Sequence, residues 1–157
     1  MKNKISGKVY TASVSRIKEL AEFCAEIWLI TRAGKDIAGT IRVRGLSPGP
    51  ALYQDYLEKW KDADPERWWP QYQARFKEEL KQPEKRAALH RLWLLLREGK
   101  NVALVCFCPD YRYCHRTIVG DLLREKGVAV EEMSPLADRK ERKSGEFFIQ
   151  EAFNFGL

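Results

Sequence analysis

The sequence has no apolar run of the roughly 18 residues that a membrane span needs. Its 157 residues contain no internal repeat and no low-complexity tract, which argues against a solenoid or a fibrous chain. The opening "MKNKISGKVY" carries basic residues with no apolar core behind them, so no signal peptide is expected. Histidine is scarce, at two residues, and cysteine is limited to four. Four cysteines without a secretory signal point to the cytoplasm and to reduced thiols.

What is present suits one globular domain. Hydrophobic residues make up 45% of the chain and charged residues 32%, enough to bury a core at this length. The net charge of +6 favours anionic partners, a small molecule or nucleic acid.

Strand and helix patterns alternate along the chain. "KVYTASV" (8–14) reads as a strand, and Ser15 as the cap of a helix over "RIKELAEFCA" with Ile17, Leu20, Ala21 and Cys24 on one face. "EIWLITR" (26–32) is a buried strand, and "IAGTIRVRGLSPGP" holds a weak strand or loop. Leu52, Tyr56 and Trp60 have helical spacing, and Asp64–Pro65 is a helix-start pair. Pro70 interrupts "ERWWPQYQARFKEEL", so the next helix is expected to open at Pro70. The clearest helix is "PEKRAALHRLWLLLREGK" (83–100).

The uninterrupted "NVALVCFC" (101–108) has the look of a central parallel strand, covered on both faces. "CHRTIVGDLLREKG" then forms a helix closed by Gly127, and "VAVEEM" a last strand. These patterns predict one α/β domain, a mostly parallel sheet flanked by helices in a Rossmann-like three-layer arrangement. A helical insert over about 50–98 lies on one side. The core spans about 8–132. Residues 133–157 make a charged connector and an aromatic tail, and a homodimer through that tail is expected.

Three of the four cysteines and one histidine fall within "CFCPDYRYCHR" (106–116). Ligands of open α/β sheets bind at the carboxyl ends of strands. Cys108 ends the proposed central strand, while Cys114, His115 and Arg116 open the next helix, whose free N–H groups favour anions and lower a thiol pKa. Arg112 adds positive charge. The pattern points to an anion site with one activated thiol. Cys106 reads as plain core, like Cys24, and His90 as a surface or packing residue. Zinc sites prefer paired knuckles of C-x2-4-C type, and adjacent Cys114 and His115 diverge on a helix, so no metal is expected. A disulfide between Cys108 and Cys114 is geometrically feasible and would be redox-active.

At these residues the chain resembles the domain of unknown function (DUF) 488 family. "VCFCPDYRYCHRTIVGDLL" is similar to that family's strand–Cys–loop–Cys-His-Arg–helix signature. "LSPGPALYQDYLEKWKDADPERWWPQYQARFKEEL" and "KVYTASVSRI" are similar to its middle and opening segments. The resemblance implies that the signature cysteines are Cys108 and Cys114, followed by His115 and Arg116. Arg32 and Pro48 match two further motifs. The resemblance implies a fold, a site and roles in nucleotide or nucleic-acid transactions, and it names no reaction and no cofactor.

The leading expectation is a pocket in which Cys108 or Cys114 is the thiol and His115 its proton partner. Arg116, Arg112 and Arg32 would anchor a nucleotide or nucleic acid. Two rivals stand beside it. One is a noncatalytic nucleic-acid module gripping through Trp60, Trp68, Trp69, Arg67 and Arg75, although those tryptophans also suit the core of the helical flank. The other is a metal or redox protein built on the cysteine cluster.

Overall fold

A computed structural model of the chain describes residues 5–108 and 110–134. Five strands form one parallel sheet: β1 (Val9–Ser13), β2 (Glu26–Leu29), β3 (Ile41–Arg42), β4 (Val102–Cys106) and β5 (Val130–Glu132), in the order β3-β2-β4-β1-β5. The helices are α1 (Ile17–Leu20), α2 (Pro50–Asp55), α3 (Pro65–Glu79), α4 (Pro83–Arg97) and α5 (His115–Glu125). β4 is central, paired with β1 on one side and β2 on the other. Every residue of β4 is buried, as its valine-rich, unalternating sequence requires when both faces are covered.

Side-chain alternation divides the core. Val9, Trp28, Ile30, Val102 and Leu104 meet Phe76, Leu92, Leu96, Ile118 and Val119 on the face covered by α3, α4 and α5. Ala12, Ile27, Leu29, Ala103 and Val105 point to the other face, with Leu20 and Ile17 of α1. The strand order departs from the 3-2-1-4-5-6 of a Rossmann sheet, because β4 lies between β1 and β2. No helix of the described residues is long and apolar enough to cross a membrane.

Two local expectations are corrected. The helix over "RIKELAEFCA" shrinks to a tight turn at Val14–Arg16 and the single turn of α1, and the cap is Ser13, whose hydroxyl accepts from the Ser15 amide. Asn101 explains the early stop. Its side chain donates to Phe23 O and its carbonyl accepts from the Ala25 amide, which turns the chain into β2. The helix placed at Pro70 starts five residues earlier: Asp64 caps it, Pro65 is its first residue, and Pro70 lies inside. An internal proline costs about 3 kcal/mol. Burial of Trp68, Tyr72 and Phe76, at i, i+4 spacing along α3, offsets it at roughly 1.5–3 kcal/mol each.

α5 packs over β1 and β5 at Gly120, where an added Cβ would lie in ordinary contact with Val130 Cγ1 at 3.4 Å and Thr11 Cγ2 at 3.8 Å. Gly127, at φ +90°, lets the chain leave α5. The aromatic tail, and the dimer expected through it, lie outside the described residues.

Candidate functional site

The carboxyl ends of β2, β4, β1 and β5 converge on the N-terminus of α5. Cys106 ends β4 opposite Ser13 of β1. Cys108 follows two residues later, just beyond the end of the strand. A short turn at Tyr111–Tyr113, capped by the Asp110 carboxylate on the Arg112 amide, returns the chain to Cys114, the N-cap of α5. The sulfurs of Cys106, Cys108 and Cys114 lie within 4.8 Å of one another. Cys106 Sγ and Cys114 Sγ are 2.9 Å apart, and all four cysteines are free thiols.

Arg116 lies beneath the sulfurs with no solvent exposure (0%). Its Nη1 donates to Cys106 Sγ at 3.1 Å, to Cys108 O at 2.7 Å and to Cys114 Sγ at 3.8 Å. Its Nε and Nη2 donate to the two oxygens of Glu132 at 3.0 and 2.9 Å. Glu132 also accepts from Thr11 Oγ1 at 2.8 Å and from the Ser134 amide at 3.0 Å. Burying a guanidinium costs several kcal/mol unless its donors are paired. Here each nitrogen of the fork is paired.

The thiols do not share one pKa. Burial pushes the Cys114 thiol up, but hydrogen bonds from Cys106 and Cys108 and the charge of Arg116 outweigh it and hold it well below the usual thiol range. Burial raises Cys106. Hydrogen bonding to Cys106 and Cys114, with burial, raises Cys108. Of the three thiols Cys114 is the one whose thiolate is favoured, and Arg116 is shared between the sulfurs and the Glu132 carboxylate.

His115 is buried against Phe76, with ring centroids 5.6 Å apart. Its Nε2 lies 2.5 Å from Ile30 O. A carbonyl only accepts, so Nε2 carries the proton and Nδ1 presents a lone pair, 3.9 Å from Cys114 Sγ. Burial lowers its pKa, as do the charges of Arg116 and Lys85. Burial thus favours the neutral ring, with Nδ1 as its free acceptor.

These groups floor a pocket whose wall includes Tyr53, Tyr56, Trp68, Tyr72 and Tyr113. Trp68 stacks on Trp60, Tyr72 stacks on Phe76, and Trp69 meets Tyr113 edge-on. The tryptophans of the nucleic-acid rival thus pack into the flank, and Arg75 pairs with Asp55 at 2.6 Å. Arg32 lines the same pocket. Its Nε donates to Pro48 O at 2.6 Å, while Nη1 and Nη2 have no hydrogen-bond partner among the described residues. The Ser47–Gly49 segment beside it is held by Lys85 Nζ on Ser47 O at 2.6 Å and by the Gly49 amide on Glu79 at 2.8 Å.

The structure brings Cys108, Cys114, His115, Arg116 and Arg32 to one place. Arg112 does not join them: it turns outward to Asp110, with Nη2–Oδ2 at 2.8 Å, and does not line the pocket. Cys106 is as buried as a core residue must be, yet it belongs to the cluster. Sequence reading also missed Glu132, Thr11 and Lys85. A partial signal existed for Glu132, since a buried arginine needs a carboxylate and "VEEM" follows α5. The three sulfurs could also hold a soft metal ion. The guanidinium 3.1 Å from Cys106 Sγ works against a cation there.

The comparison that carries a family name covers most of this ground. The model DUF488-N3a, described as the active DUF488-N3 subclade, matches residues 9–127. The chain belongs to the DUF488 family. The match runs from β1 through the whole of α5, so it takes in the three cysteines, His115 and Arg116, and stops before Glu132. No curated protein and no solved structure matches the chain.

Proposed function

We propose that this DUF488 protein is a cytoplasmic enzyme that binds a nucleotide or a nucleic-acid end in the pocket and acts on it through a cysteine thiol. The observation that carries this reading is that Arg32 and the thiols line one pocket. Arg32, whose Nη1 and Nη2 have no hydrogen-bond partner among the described residues, is one of the residues lining the pocket floored by Cys108, Cys114 and His115. A planar fork with free donors suits a phosphate group. The tyrosine and tryptophan wall suits a planar base.

In this reading Cys114 is the nucleophile, with its charge held by Arg116. His115 takes a proton at Nδ1, its other nitrogen being fixed on Ile30 O. Arg116 and Glu132 act beneath the sulfurs and do not touch the ligand. The description of the matched subclade as active fits an enzyme. Calorimetric titration with a nucleoside monophosphate tests the reading. Binding to the wild type that weakens at least tenfold in Arg32→Gln is expected, and equal affinity in both proteins would refute it.

A further inference from the structure

Cys106 and Cys114 come from different elements, the end of β4 and the cap of α5, and meet at 2.9 Å without a bond. Both line the enclosed cavity, although neither exceeds 1% exposure. Arg116 Nη1 donates to both sulfurs. Cys108 Sγ lies within 4.8 Å of them, but Arg116 reaches Cys108 only at its carbonyl.

We propose that Cys106 and Cys114 are a two-electron redox couple, oxidised to a disulfide by hydrogen peroxide that enters the cavity. The Cys114 thiolate attacks one oxygen of the peroxide, the O–O bond breaks, and Cys114 becomes a sulfenic acid. The released hydroxide takes the Cys106 proton and leaves as water. The Cys106 thiolate attacks the Cys114 sulfur, the S–S bond forms and the S–O bond breaks. The departing hydroxide takes a proton from solvent, giving a second water. The two sulfurs lose two electrons in total and the peroxide gains two. Arg116 faces each anion in turn without moving.

Size selects the oxidant. Cys106 and Cys114 are at most 1% exposed, so a small peroxide reaches them more readily than a bulky disulfide does. Proximity selects the resolving thiol. The Cys106–Cys114 approach needs less than 1 Å of closure from 2.9 Å to the disulfide length of about 2.05 Å. A dithiol reductant restores both thiols by exchange once unfolding exposes the bond. Arg32 takes no part, so the couple stands whether or not the pocket binds a nucleotide.

The test oxidises the full chain with a small excess of hydrogen peroxide, then counts thiols after denaturation and fragments a nonreduced digest by mass spectrometry. The thiol count should fall from four to two and recover with dithiothreitol, and the fragments should join Cys106 to Cys114. Cys108→Ser should lose two thiols as the wild type does, and Arg32→Gln should behave likewise. Cys106→Ser should instead carry Cys114 on to the sulfinic acid. Because that variant alters a fully buried position, the wild-type fragments decide by themselves. Four surviving thiols, or a disulfide placed at Cys108, would overturn the couple.

Discussion

Arg116 and Glu132 face each other as a two-pronged ion pair, Nε to Oε1 at 3.0 Å and Nη2 to Oε2 at 2.9 Å, with the arginine closed off from solvent. The pair joins the helix after the cysteine loop to the last strand of the sheet. Removing one partner strands the other. Glu132→Ala should therefore cost about 3–5 kcal/mol, read as a lower urea midpoint. A loss below about 1 kcal/mol would show that solvent reaches the guanidinium and that the pair is worth no more than a surface bridge.

Stability should fall on the acid side of neutrality. Burial lowers the pKa of His115 below its ordinary 6.5, so the unfolded chain takes up that proton first as pH falls. The native state then loses stability progressively from about 6.5 down to the folded value. The lowered Cys114 pKa acts with the same sign, its contribution fading as pH falls below the thiol's ordinary 9.0. Thermal melts between pH 5 and 8 should show this acid limb, and His115→Gln should flatten it. An unchanged limb in the variant would place the titration elsewhere.

Pro70 offers a control away from the site. It is exposed inside α3 and leaves the Glu66 carbonyl without its helical partner. Pro70→Ala should raise stability by about 1–3 kcal/mol without changing thiol reactivity. A destabilised variant would mean that the proline shapes the aromatic flank.

The purified protein should carry no stoichiometric zinc or iron. Arg116 already supplies the positive charge beside the sulfurs. Elemental analysis giving about one metal per chain, lost in Cys108→Ser or Cys114→Ser, would reverse this reading.

The features legible in the sequence were those written locally. "NVALV" gave β4 because a run without alternation must be covered twice, and "CHRTIVGDLLREKG" gave α5 with its glycine stop. Cys108, Cys114, His115 and Arg116 were found together because they share one loop. Cys106 was set aside since burial alone explains a strand cysteine, and only the return of Cys114 against it shows otherwise. Glu132, Lys85 and the free donors of Arg32 depend on contacts across the sheet that no spacing announces. Pro70 misled because aromatic burial overrode its helix-breaking cost, and the helix after β1 was cut short by Asn101, a residue far along the chain.

Thiol alkylation under ligand protection tests the central claim most directly. At pH 7 iodoacetamide should label the cluster through Cys114 first. Cys24 should react last, since burial pushes it up to about 11, and buried Cys106 should also lag. A nucleoside monophosphate should slow labelling of the cluster at least tenfold in the wild type and leave it unchanged in Arg32→Gln. Four cysteines reacting at similar rates, with no protection by any anion, would contradict the account and leave the cysteines as packing residues.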